Sequence, residues 1–126
     1  MRKAIKKTAR EVACDWNLAH TAGMEAVANE RPNIVPMIVE GSDGRRHIVP
    51  DGVCGFAWLE IRPARGSLVT FLKKHNIGYV SQYHRCYWVS ISQFNQSLAL
   101  KEAYAQAVAE SLRASGYEVY AGSRID

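Results

Sequence analysis

Val53-Cys54-Gly55-Phe56-Ala57-Trp58-Leu59-Glu60-Ile61-Arg62 alternates with the period of a β-strand. Successive side chains of an extended chain point to opposite faces. Ala57, Leu59 and Ile61 therefore share one face, and Phe56, Trp58, Glu60 and Arg62 share the other. Toward the C-terminus, Pro63 to Gly66 reads as a loop, and Ser67 as the N-cap of a helix from Leu68 to His75 that Asn76 to Gly78 closes. Tyr79 to Tyr83 and Cys86 to Ser92 predict two strands joined by a tight turn at His84-Arg85. In the second of these, Tyr87, Val89 and Ile91 oppose Cys86, Trp88, Ser90 and Ser92. Asn95 or Ser97 opens a helix from Leu98 to Ser115, with apolar spacing at Leu100, Tyr104, Ala107, Val108 and Leu112, and Gly116 stops it. Tyr117 to Ala121 is a last strand. The order β-α-β-β-α-β is that of the ferredoxin-like split βαβ pattern.

Toward the N-terminus the pattern changes. Ile5, Ala9, Val12, Trp16, Ala19 or His20, Gly23, Ala26 and Val27 recur at helical spacing and predict one long helix from Arg2 to Asn29. Its stripe is rich in alanine and carries Gly23, so this helix can lie close to a neighbour. Ile34 to Glu40 and Arg46 to Val49 read as a short hairpin about Gly41-Ser42-Asp43-Gly44, with Pro36 at an edge position. The expectation is one α+β domain over 1–126: helix 1–30, hairpin 34–49 and a ferredoxin-like antiparallel core over 53–122.

Composition bounds the function. The chain has 126 residues, 48% of them hydrophobic and 22% charged, ordinary for a globular domain and too apolar for a disordered one. No apolar run reaches the roughly 18 residues of a membrane span. Met1 to Arg10 is basic, but no apolar segment of the secretory type follows it. The net charge of +4 is local. Arg2, Lys3, Lys6, Lys7 and Arg10 stand in the first ten residues without an acid, whereas the rest carries 11 basic and 12 acidic side chains. A helix presenting this cluster along one flank could contact phosphates or an acidic protein, without reading bases. The alternative is a solvated helix end.

The second candidate site is the aromatic face of the core strands. In a ferredoxin-like sheet the two strands carrying Phe56, Trp58 and Trp88 are central neighbours, with Arg62 nearby. RNA-recognition modules stack bases on such a face. The segment Arg85-Cys86-Tyr87-Trp88-Val89-Ser90-Ile91 does not match their signature. The N-terminal helix has an apolar stripe with no other assigned partner, so it is expected to dock across this face, with Val12 or Trp16 in contact.

Chemistry is sparse. Cys14, Cys54 and Cys86 are three widely spaced cysteines, which reads as free thiols in a reducing compartment. The four histidines show no metal-binding spacing, and His84 with Cys86 could meet a metal only from one strand face. Cys54 is the one nucleophile candidate, and a small cysteine opening a strand is usually core. No phosphate-binding loop, dinucleotide turn or G-x-S-x-G elbow occurs. The expectation is a protein that is not an enzyme and holds no cofactor or metal.

Several segments resemble a family of small uncharacterised proteins of tailed bacteriophages and prophages. They are Ala22-Gly23-Met24-Glu25-Ala26, Pro36-Met37-Ile38-Val39, Asp51-Gly52-Val53-Cys54-Gly55-Phe56-Ala57-Trp58, Lys101-Glu102-Ala103-Tyr104-Ala105 and Tyr120-Ala121-Gly122-Ser123-Arg124-Ile125-Asp126. The resemblance implies a phage product acting in the bacterial host cytoplasm or carried in the virion, and it implies no activity. The function expected from residues and resemblance together is non-enzymatic binding. The favoured partner is nucleic acid, met through the basic N-terminal helix. The alternative is a protein partner, as an inhibitor of a host factor or defence system or a minor virion component.

Overall fold

The structure is a computed structural model that describes residues 6–49 and 52–126. Its elements run α1 (Ala9–Glu30), a single 3₁₀ turn (Arg31–Asn33), β1 (Met37–Glu40), β2 (Arg46–Val49), β3 (Gly55–Arg62), α2 (Ser67–Lys74), β4 (Tyr79–Ser81), β5 (Cys86–Ser90), α3 (Leu98–Ala114) and β6 (Glu118–Ile125). The class is α+β, with a four-stranded sheet in the order β4-β5-β3-β6 and a separate two-stranded ribbon β1-β2. Every pairing is antiparallel.

Alternation along β3 sorts the faces. Ala57, Leu59 and Ile61 are buried, and with Tyr87, Val89 and Val119 they form the sheet side of one apolar cluster. Leu68, Val69 and Leu72 of α2 and Leu100, Tyr104, Ala105, Val108, Ala109 and Leu112 of α3 close it from the same side. Both crossover helices therefore cover one face of the sheet.

The expected docking of the N-terminal helix on the aromatic face is not what the structure shows. α1 packs on α3 and more lightly on α2, outside the helix layer. Its stripe Val12, Ala19, Gly23 and Val27 is fully buried there, and Trp16 packs partly against the same cluster. The physical reason lies in α3. That helix is apolar on more than its sheet-facing side, so Tyr104 and Val108 offer α1 a seam against Gly23 and His20. At Gly23 a Cβ would lie 2.6 Å from the Tyr104 ring and 2.9 Å from Val108, so glycine sets how close the two helices come.

The start of α1 also differs from expectation. Thr8 is its N-cap, its hydroxyl accepting from Glu11 N while the Glu11 carboxylate accepts from Thr8 N. This capping box starts the helix at Ala9, so Lys6 and Lys7 precede it. Arg2 and Lys3 of the expected helix lie outside the described residues. Cys54 makes an isolated bridge to Ser97 ahead of β3, and β6 extends to Ile125 because all eight of its residues pair with β3. Gly66 caps α2, and Ser67 is its first helical residue.

Candidate functional site

The register of the sheet assembles the outward face. Opposite residues on antiparallel strands place their side chains on the same side. Phe56 pairs with Arg124, Trp58 with Gly122 and Ser90, Glu60 with Tyr120 and Trp88, and Trp88 with Tyr79. Phe56, Trp58, Trp88, Tyr79 and Tyr120 thus share a face that no helix covers. Phe56, Tyr79 and Tyr120 are 40%, 56% and 46% exposed, whereas Trp58 and Trp88 are half-buried.

The half-buried tryptophans belong to a stacked row. Trp58 and Trp88 lie 4.7 Å apart between centroids at an interplanar angle of 18°. The His84 ring stacks on Trp88 at 4.3 Å. Trp58 rests against β6 at Gly122, where any Cβ would fall 2.4 Å from Trp58 Nε1. Trp58 Nε1 donates to Glu60 Oε2 at 3.3 Å, and His84 Nδ1 lies 2.9 Å from Ser81 Oγ. The row spends the flat faces of Trp88 on its neighbours, so the rings left for a ligand are Phe56, Tyr79 and Tyr120. Beside the row, a cleft of about 360 Å³ is bounded by Phe56, Trp58, Trp88, Tyr79, Ser90 and Arg124.

The cations divide into bound and free. Arg62 is spent on structure: Nη2 donates to Glu60 at 2.9 Å, and Nη1 donates to the carbonyls of His84 and Arg85 at 3.1 Å each. It staples the β4–β5 turn to β3. Arg124 is exposed, and its guanidinium carbon lies 5.1 Å from the Phe56 ring centroid. Sequence reading missed Arg124 because only the β3–β6 register brings it to Phe56. Arg113 lies over the Tyr120 ring at 5.7 Å and donates to the carbonyl of Val119.

The basic N-terminal cluster is divided as well. Lys7 Nζ donates to Asp15 Oδ2 and to the carbonyl of Ser115, each at 2.8 Å, and lies over the Tyr117 ring. Lys7 therefore fastens the chain start to the end of α3. Lys6 and Arg10 border a groove between α1 and α2 with Lys74 and His75, on the side of the molecule away from the aromatic face.

No family model, no curated protein and no solved structure matches the chain. Among the described residues, no three His, Cys, Asp or Glu side chains are grouped to hold a metal ion, and no helix is long and apolar enough to cross a membrane. Cys14, Cys54 and Cys86 are free thiols, exposed, half-buried and buried in turn. Burial pushes the Cys86 thiol up from its ordinary pKa.

Proposed function

We propose that this chain is a non-enzymatic binding module that holds single-stranded nucleic acid, with little sequence preference, on the uncovered aromatic face of its sheet. The carrying observation is the grouping of exposed Phe56 and Tyr79 around a cleft with Arg124 at its margin, on a face that α1 leaves open. Unstacked bases find π-faces there and the backbone finds a cation, the two components of sequence-tolerant single-strand binding. The chain order βαββαβ and the spatial order β4-β5-β3-β6 support a ferredoxin-like core, whose open face is the surface that RNA-recognition modules use. The contact thus moves from the basic helix to the sheet, with Lys6 and Arg10 left to add long-range attraction.

The test is quenching of tryptophan fluorescence by oligothymidylate of about ten nucleotides at low salt. Phe56→Ala and Tyr79→Ala should each weaken binding by about 1–3 kcal/mol, the usual worth of one stacked base. Absence of quenching at low salt, or variants that bind like the parent, would remove the proposal. The β1-β2 ribbon favours a second reading, a protein partner, because Ile38 and Ile48 are directly paired yet 63% and 69% exposed. An apolar interface there would respond little to salt, whereas phosphate binding weakens steeply with it. The resemblance to phage proteins would place either partner in a bacterial host or a virion.

A further inference from the structure

We infer that Lys101 and Arg124 form a phosphate-binding site about Phe56, at the β3–β6 end of the aromatic face. The inference rests on the nucleic-acid reading of that face and names where the strand's backbone would cross it.

Lys101 is the anomaly that points there. It is buried, 5% exposed. Its ammonium carries three N–H donors, yet its hydrogen bonding among the described residues is one bond to the carbonyl of Gly55 at 3.2 Å. No carboxylate of the described residues forms an ion pair with it. It is the fourth residue of α3, near the helix end whose dipole disfavours a cation. A buried charge without a counter-ion is costly.

The second observation is independent of burial. Lys101 Nζ lies 5.8 Å from the Phe56 ring centroid, and the Arg124 guanidinium carbon lies 5.1 Å from it. Arg124 forms no ion pair among the described residues. Two cations without carboxylate partners therefore converge on one exposed ring beside the cleft. Arg124 supplies planar N–H donors to a phosphate at the surface. Lys101 supplies positive charge from a dry position, where it is poorly screened by salt. A base against Phe56 would carry its phosphate into this field.

Two probes test the site. Inorganic phosphate, titrated against chloride at equal ionic strength, should shift the side-chain NMR resonances of Lys101 and Arg124 saturably. Arg124→Gln should abolish the Lys101 shift. In oligothymidylate titrations, Lys101→Met and Arg124→Gln should each weaken binding about tenfold at low salt. Each should also flatten the log–log salt slope by about 0.7, the share of one single-strand phosphate. Lys101→Met should melt at or above the parent temperature, because it removes an unpaired buried charge. A lysine kept for structure would show the reverse, a lower melting temperature with unchanged binding, and that result overturns the inference. So does the absence of a saturable phosphate shift, even if oligothymidylate binds. A saturable phosphate shift without oligothymidylate binding keeps the site and rejects the nucleic-acid reading.

Discussion

Asp15 fastens the start of the chain, receiving Lys7 Nζ at 2.8 Å and Tyr117 Oη at 2.7 Å. Burial pushes its carboxyl pKa up, but the hydrogen bonds from Lys7 and Tyr117 and the Lys7 charge outweigh it, so the net shift is downward. A carboxyl lowered on folding contributes stability that is present above its unfolded value of about 3.9 and lost as pH falls through the lower folded one. Asp15→Asn should therefore cost about 1–3 kcal/mol near neutral pH and flatten the acid limb of the melting-temperature profile. Thermal melts between mildly acidic and strongly acidic buffer check this. Tyr117 has the opposite sign: burial first, then its bond to Asp15, raises its pKa. Its contribution is complete below about pH 10 and is lost as pH rises through the raised value. Lys7→Glu should destabilise as well, since it sets a carboxylate against Asp15. Lys7 is thus not interchangeable with Lys6 or Arg10, and a charge count could not have separated them.

At the scale of elements, glycine sets two approaches. Gly23→Val places its side chain against Tyr104 and Val108. It should cost about 1–3 kcal/mol through overpacking, read as a lower midpoint in urea with the same slope. Gly122→Ala cannot keep Trp58 where it rests. It should change the tryptophan emission and near-ultraviolet dichroism of the Trp58–Trp88 pair with only a small change in melting temperature, because that row stands outside the main core. Helix α1 was legible as an element because its apolar stripe has the right period. Its start is written there too, in the Thr8-x-x-Glu11 spacing of a capping box, which the apolar period alone does not register.

For the molecule as a whole, the consequence is that two faces are separated by the helix layer. The chain without residues 1–29 should lose cooperative melting and bind hydrophobic dye, because Tyr104 and Val108 of α3 would face water. In the intact chain, Phe56→Ala should leave the melting temperature within a few degrees, since Phe56 lies on the uncovered face and outside the main cluster. Circular dichroism melts of the two proteins distinguish a helix that covers α3 from one that covers the sheet.

What the amino-acid order determined by itself is local. Period-two alternation over residues 55–62 and 86–90 set the strands and their two faces, and helical spacing set α1 and α3. Those signals depend only on each residue's near neighbours, so one chain suffices to read them. Which surfaces meet depends on contacts between elements distant in the chain. The seam between α1 and α3 left the aromatic face uncovered. The β3–β6 register brought Arg124 to Phe56 across some seventy residues of chain. The β4–β5 turn consumed Arg62, and the packing of α3 enclosed the ammonium of Lys101. Periodicity assigns a side chain to a face of its own element, but the partner of that face is chosen by competition among all the apolar surfaces the chain presents.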